Sequence, residues 1–399
     1  MTDIFFNYIF IKNNFIYWYI GLILIATFNV ITGLTNFFWL KKLPKKTKNK
    51  LITKDLVSIL VPARNEEDVI ESTIKSIINQ NYRDFELLIL NDNSDDNTKI
   101  IIEKYTKQYK NIKLINGTDL PNGWLGKNWA CHQLSKKAKG NYLLFIDADT
   151  QIDKNILSDT LTILHKDKSD LLSLVPNRET FLVADNAMKK IISWFIVCWL
   201  PMKLALTLNA SFLSATFGQF MLFKKQSFIE IGGFENIKDN PVDDFQLGRN
   251  IKKKKLKWNL YDGEKRISTR TYNSNKEFIR GYAKNIFPAV GYSISIFLSI
   301  FLILLSFVLF STLPIVLYFM GMEQNSEFII LSVTLFILLV LSWSIVTYRF
   351  NYSITTPLSF PILISLVILL AARSFSDSLF YGSTWKDRKY KTSKKKLKI

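Results

Sequence analysis

Cysteine is nearly absent from this chain: Cys131 and Cys198 are the two in 399 residues. Two thiols cannot build a disulfide framework, and a reducing compartment is the simple setting. Histidine is equally scarce. His132 and His165 have no metal-ligand spacing, so a histidine-based metal centre is excluded and both read as structural. No repeat of solenoid period is visible. Negative charge is in deficit, with 33 Asp and Glu against 52 Lys and Arg, a net charge of +19. A basic surface attracts nucleic acid, anionic lipid headgroups or sugar nucleotides. Nucleic acid fits poorly, because the lysines flank apolar runs and lack interleaved aromatic platforms. A hydrophobic content of 48%, with 31 Phe, excludes a disordered chain.

Long apolar runs are what the sequence has in quantity. Residues 17–40 carry no charge and as a helix would span roughly 36 Å, enough to cross a bilayer. Lys41, Lys42, Lys45, Lys46, Lys48 and Lys50 follow at once, and only Lys12 precedes. The positive-inside rule then puts the N-terminus outside and the next domain in the cytoplasm. A cleaved signal peptide is disfavoured, because the basic cluster lies on the wrong side of the apolar run. Residues 290–320 and 328–346 read as further spans, joined by a short loop with Glu323 and Glu327. A last stretch, 357–372, is only marginally long enough. If all three cross, the basic tail from Arg373 lands outside, against the charge rule, unless the last stretch lies in the interface or re-enters. Residues 188–215 are apolar but interrupted by Lys189, Lys190, Pro201 and Lys203. They read as an in-plane segment at the membrane surface, with a buried helix of the domain as the alternative.

Between the apolar ends the pattern is soluble. Residues 57–61, 85–90, 112–115 and 142–146 read as strands, and 66–80, 95–109 and 127–138 as helices. Such alternation predicts a mostly parallel α/β sheet with helices on both faces. The chain therefore divides into an N-terminal anchor with its basic segment (1–50), a catalytic-type domain (51–286), and C-terminal transmembrane helices with a basic tail (287–399).

Ligands of such sheets bind beyond the carboxyl ends of the strands, where polar clusters fall. Tyr142-Leu143-Leu144-Phe145-Ile146 runs straight into Asp147-Ala148-Asp149. Paired carboxylates there suit a hard divalent cation and the phosphates it carries; a solvated turn is the bland alternative. Pro62-Ala63-Arg64-Asn65-Glu66 lies between strand and helix, where backbone amides favour an anion, or where Asn65 simply caps the helix. Asp92, within Asn91-Asp92-Asn93-Ser94, can accept from a base imide or a ribose hydroxyl, or belong to an Asx turn. Trp124-Leu125-Gly126-Lys127 can close over a diphosphate, with Lys127 as the point charge, or be an anchored surface loop. Asp243-Asp244 opens a helix whose dipole keeps a carboxylate ionised, which suits a general base; a plain N-cap pair is the alternative. The run Lys252 to Lys255 with Lys257 reads either as a headgroup contact or as a solvated helix end.

Val61-Pro62-Ala63-Arg64-Asn65-Glu66, Asn91-Asp92-Asn93-Ser94, Asp147-Ala148-Asp149, Gly232-Gly233-Phe234 and Asp243-Asp244, in that order, resemble the family 2 glycosyltransferases. Trp124-Leu125-Gly126-Lys127-Asn128-Trp129-Ala130 and the tail Trp385-Lys386-Asp387-Arg388-Lys389-Tyr390 narrow the resemblance. They point to the membrane-bound branch of hopanoid-associated and carotenoid (diaponeurosporenoate-type) glycosyltransferases. The tail departs in carrying Asp387 where that branch more often has glycine.

The resemblance implies a Rossmann-like GT-A domain flanked by transmembrane helices, in a multi-pass protein with its catalytic domain in the cytoplasm. It implies inverting transfer of a sugar, glucose by default, from a UDP-sugar to a membrane lipid such as a carotenoid, a hopanoid or another glycolipid precursor. Mg2+ or Mn2+ is the implied cofactor; the bilayer is a partner and nucleic acid is not. Pro62, Ala63, Arg64, Asn65, Glu66, Asp92, Lys127 and Asp147 would bind the nucleotide sugar. Asp147 and Asp149 would hold the metal, Asp244 would be the base beside Asp243, and Gly218, Gln219 and Trp124 would border the acceptor. The Gln-x-x-Arg-Trp signature of processive synthases is absent, and Glu277-Phe278-Ile279-Arg280-Gly281-Tyr282 near its place does not match, which favours a single transfer. Two other readings are a polyprenyl-phosphate sugar synthase and a catalytically silent membrane scaffold. The intact acidic pairs argue against the scaffold.

Overall fold

A computed structural model describes residues 2–44, 55–322, 325–381, 383–385 and 388–390. Lys45, Lys46, Lys48, Lys50, Glu323, Lys386 and Asp387 lie outside the described residues. The chain opens with α1 (Thr2–Trp39), then alternates β1 (Val57–Ala63), α2 (Ile70–Ile78), β2 (Phe85–Asn91), α3 (Thr98–Gln108), β3 (Ile112–Asn116), α4 (Gly126–Lys137) and β4 (Tyr142–Phe145). It continues through β5 (Thr150–Ile152), α5 (Ile156–Lys166), β6 (Leu171–Val175), β7 (Asn177–Glu179), α6 (Val183–Trp194) and α7 (Met202–Thr207). Next come β8 (Met221–Lys224), α8 (Lys225–Glu230), α9 (Asp243–Lys253), β9 (Trp258–Asp262) and β10 (Ile267–Arg270). Four helices follow, α10 (Asn275–Ala289), α11 (Ile294–Phe319), α12 (Ser326–Phe350) and α13 (Phe360–Ser376), and a short antiparallel pair, β11 (Ser383–Trp385) and β12 (Arg388–Tyr390), ends the described residues.

Among the described residues, seven strands form a sheet in the order β3-β2-β1-β4-β8-β6-β9. All neighbours are parallel except β8, which runs against β4 and β6. Helices cover both faces, so β1, β2 and β4 are near-continuous apolar runs, as buried parallel strands must be. From β1 the chain steps outward to β2 and β3 and then returns to β4 on β1's other side. The carboxyl ends of β1 and β4 therefore face an open crevice. A small sheet, β5-β10-β7, borders it through Arg178 and Thr269.

Four helices are long and apolar enough to cross a membrane: Asn14–Trp39, Ile294–Phe319, Ser326–Phe350 and Phe360–Phe380. α1 and α12 run side by side in the same direction, with Phe15 near Phe328 at one end and Phe37 near Tyr348 at the other. α11 runs the opposite way, Phe310 packing on Tyr19. α13 differs. It starts beside the middle of α12, Phe360 against Phe336, and ends beside the start of α11, Phe375 stacked on Phe297 at 5.0 Å. Ser374 Oγ there accepts the Phe287 N–H of α10. Residues 351–359 thus dip into the bundle from the domain end, and α13 returns to that end. Of the alternatives open for the last apolar stretch, re-entry is the one these contacts describe.

Two expectations change. Of residues 188–215, the part before Pro201 does not lie free in an interface: α6 and its continuation pack among the long helices, Trp194 stacking on Trp343 at 5.0 Å, while Leu204, Leu208 and Phe212 beyond it stay exposed. Pro201 breaks the helix, and Asn36 of α1 satisfies the freed backbone by donating to Val197 O and Leu200 O and accepting from Met202 N. Gly33 lets these elements close up, since a Cβ there would stand 3.1 Å from Ile345 and 3.2 Å from Cys198 Sγ. Nor is the lysine run continuous on the surface. Lys252 turns inward, donates to Ala205 O and Leu208 O at the end of α7, and lies over Trp258. Burial lowers its pKa to about 8. Lys253, Lys254, Lys255 and Lys257 stay exposed.

Candidate active site

The loops after β1 and β2 form one unit. Arg64 donates to Asp92 O and Asn93 O at 2.6 and 3.0 Å. The Asn65, Glu66 and Glu67 amides donate to Ser94 Oγ, Thr98 Oγ1 and Asp96 Oδ2. Asn65 Oδ1 accepts the Asp95 N–H in return. These bonds delay both helices, so α2 starts at Ile70 and α3 at Thr98. Those three amides are already paired. Asn65 and Asn93 reach the left-handed region (φ 52° and 51°), which asparagine tolerates better than other non-glycine residues.

Four carboxylates and one lysine meet at the end of β4. Lys127, from the first turn of α4, places Nζ 2.8 Å from Asp147 Oδ1 and 3.6 Å from Asp243 Oδ2. Burial opposes its charge, but Asp147 and Asp243 hold its pKa well above the ordinary lysine value. Asp244 accepts from the Gly218 amide at 3.0 Å and the Phe245 amide at 2.8 Å. Gly218 is the floor of this cluster, since a Cβ on it would lie 3.2 Å from Lys127 Nζ, 3.6 Å from Asp244 Oδ2 and 3.7 Å from Asp147 Oδ2. Burial, then the neighbouring Asp243, raises the Asp244 pKa to about 7. Burial, then Asp147 and Glu66, raises that of Asp149 to about 7 as well.

The last observation bears on a divalent cation. Among the described residues no group of three or more His, Cys, Asp or Glu makes a ready metal cage. Asp149 and Asp147 nevertheless crowd negative charge into a buried space that Lys127 only partly neutralises. Hard oxygen donors in that state fit a cation that completes its shell with phosphate and water.

Every candidate site residue lines a single cavity of about 1380 Å³. Pro62, Ala63, Arg64, Asn65, Glu66 and Asp92 border one end, and Lys127, Asp147, Asp149, Asp243 and Asp244 stand in the middle with Gly218, Gln219 and Trp124. The cavity then continues where sequence reading did not look, past Arg178, Thr269, Tyr272 and Tyr282 to α11 and α13. Arg178 sits opposite Thr269 in the β7–β10 pairing and donates to Tyr282 Oη, which donates to Asp185. Arg178 lies on a three-residue strand with no motif around it, so no local signal marked it. Tyr282 and Arg280 fall in the 277–282 segment that failed to match a processive signature.

Residues 58–232 match the family model described as Glycosyl transferase family 2. The chain carries a family 2 glycosyltransferase domain. It is 25% identical over 250 residues to 4,4'-diaponeurosporenoate glycosyltransferase of Staphylococcus haemolyticus (strain JCSC1435), covering 60% of this chain and 63% of that protein. The match thus spans just under two thirds of that relative's length. The protein of the same name from Staphylococcus aureus (strain USA300) is 25% identical over 276 residues, 68% of this chain and 70% of that one. A mannosyltransferase from Pyrobaculum calidifontis, solved with GDP-Man and Mn2+, superposes with a TM-score of 0.54 at 13% identity, covering 90% of this chain and 99% of that one. That likeness shows the fold, so the domain has the GT-A architecture, a mostly parallel mixed sheet flanked by four helices apolar enough to span a membrane.

Proposed function

We propose that the protein moves one sugar, glucose, from UDP to a membrane lipid with inversion at the sugar carbon, on the cytoplasmic face of the cell membrane. The observation that carries this reading is the single cavity, which joins a cluster of buried carboxylates to the apolar sides of membrane-type helices. A water-soluble acceptor has no use for the apolar end. Lipid-type acceptors in the names of the staphylococcal relatives support the same class.

In this mechanism Asp92 and the 62–66 loop hold the nucleotide, and Asp147 and Asp149 would hold Mg2+ or Mn2+. A bound cation supplies charge neutralisation for the departing diphosphate. An acceptor oxygen approaches the sugar carbon from the side opposite the diphosphate. One carbon–oxygen bond forms as the bond to phosphate breaks, and UDP leaves. Where the acceptor is a hydroxyl, Asp244 takes its proton; a pKa of about 7 suits a base working near neutral pH. Lys127 fixes Asp147 and Asp243 relative to one another, so the donor and base sides keep their spacing.

The test uses full-length protein in nanodiscs containing total lipid extract from the native cells, supplied with radiolabelled UDP-glucose. Label appearing in one chloroform-soluble hexose-bearing lipid supports the reading. Label staying on UDP or passing to water alone overturns it. A polyprenyl-phosphate acceptor is the second reading, and Arg178 beside the cavity gives it an anion-compatible contact.

A further inference from the structure

A second cavity lies away from the carboxylates, where the domain meets the end of α1. Its volume is about 210 Å³, and it shares no lining residue with the larger cavity. Trp39, which ends α1, and Lys41 just past it form one wall. Leu206 of α7 forms another, and Lys257, Asn259 and Tyr261 come from β9 and the residue before it. Asp167, just after α5, completes the pocket.

Hydrogen bonds hold these walls in place. The chain leaving α1 runs beside β9, with Leu43 N donating to Asp262 O and Asp262 N to Lys41 O. Asn36 holds the start of α7 through Met202 N, and Lys252 holds its end through Ala205 O and Leu208 O. The depth of the pocket follows from Trp39, the last residue of the membrane-type segment Asn14–Trp39. Tryptophan at the end of a span sits at headgroup level. On the segment that carries Leu206, the side chains of Leu204, Leu208 and Phe212 are exposed, which suits acyl chains better than water.

The charge of the pocket selects its occupant. Lys41 and Lys257 are exposed at its mouth, and Lys203 Nζ lies 5.6 Å from the centre of the Trp39 ring. Three lysines against one carboxylate leave the pocket net positive. Asp167 Oδ2 already accepts from Tyr261 Oη and from Asn259 Nδ2. A carboxylate in the wall repels a bare phosphate but accepts a hydroxyl. We propose that this pocket binds the headgroup of an anionic phospholipid, its phosphate against Lys41, Lys203 and Lys257 and its headgroup hydroxyls donating to Asp167. The site is separate from the transfer chemistry and seats the domain on the membrane surface.

The experiment uses delipidated full-length protein in detergent and native mass spectrometry, with dioctanoyl phosphatidylglycerol as the probe. One copy should be retained, at least about tenfold more tightly than the phosphatidylcholine or phosphatidylethanolamine of the same chain length. Combining Lys41→Gln, Lys203→Gln and Lys257→Gln should weaken retention at least about tenfold. Combining Lys104→Gln, Lys107→Gln and Lys110→Gln removes the same charge from exposed positions on and just after α3 and should leave retention unchanged. A melting temperature equal to that of the wild type without lipid shows that the first variant is folded. Should it melt early, Lys257→Gln alone must weaken retention by about fivefold. Equal retention by wild type and pocket variants overturns the proposal, as does equal retention of the zwitterionic lipids. Glycerol phosphate bound as tightly as phosphatidylglycerol also overturns it, and makes the pocket a site for a soluble phosphate. Sugar transfer is not measured, so each outcome stands whether or not the transferase reading holds.

Discussion

Asp244 is where acceptor chemistry becomes measurable. Burial and the adjacent Asp243 push its pKa up to about 7, so below neutral pH the carboxylate is protonated and cannot accept a proton. Transfer to a hydroxyl lipid should therefore fall as pH drops from 8 to 5, by about tenfold per unit once well below that pKa. Asp244→Asn should cost at least about 10²-fold in transfer and flatten this acid limb, with UDP binding unchanged by calorimetry. Near-normal transfer by the variant means that the acceptor is already ionised, as a carboxylate or phosphate would be. Loss of UDP binding moves Asp244 into the nucleotide site. Asp149 gives the complementary test: Asp149→Asn removes one of the crowded oxygen donors without changing side-chain size. It should lower turnover by at least about 10²-fold, and excess chelator should do the same to the wild type. Full activity in chelator sinks the metal assignment.

At the scale of elements, a buried guanidinium ties the domain to the bundle. Arg349, at the last turn of α12, donates to Leu40 O just past α1 and pairs with Asp262 at the end of β9, 3.2 Å away. Around it, Leu43 N donates to Asp262 O and Asp262 N to Lys41 O, so the chain leaving α1 extends the edge of the sheet. The pair is almost fully buried, with side-chain exposures of 3% and 5%. Removing Arg349 takes a buried cation away from Asp262. Arg349→Met should cost about 3–5 kcal/mol, read from thermal unfolding in detergent. Arg349→Met combined with Asp262→Asn should recover part of that loss, because the buried carboxylate loses its charge together with the guanidinium. A double variant no better than the single one shows that Arg349 acts through its carbonyl contacts alone.

For the whole molecule the question is which side each end occupies. α1, α11 and α12 each run the length of the bundle, while α13 and the loop before it begin and end at the domain side. The N-terminus and the connection between α11 and α12 should then lie on one side, and the domain with both basic segments on the other, which the positive-inside rule makes the cytoplasm. Thr47→Cys and Ser393→Cys should react with a membrane-impermeant thiol reagent only in broken cells, and Met322→Cys in intact ones. The native thiols are buried and give a low background. Labelling of Ser393→Cys in intact cells means that α13 crosses.

The sequence by itself determined the alternating α/β domain, the apolar helices and the positions of the acidic pairs. These are written in local periodicity and in polar residues at strand ends, which a one-dimensional pattern carries in full. β1, β2, β3 and β4 lie within a residue or two of where the apolar runs put them. Helix starts moved because side chains 30 positions away, Ser94, Asp96 and Thr98, took the amides of the first loop. Only the tertiary structure decided that Lys252 turns inward, that Arg178 and Tyr282 reach the cavity, and that α13 turns back. Each depends on which elements become neighbours: a carbonyl at the end of α7, a partner strand carrying Thr269, the end of α10 and the start of α11. An apolar stretch of marginal length reads the same whether it crosses a bilayer or re-enters one. Its neighbours' ends settle which, because packing fixes direction and hydropathy does not.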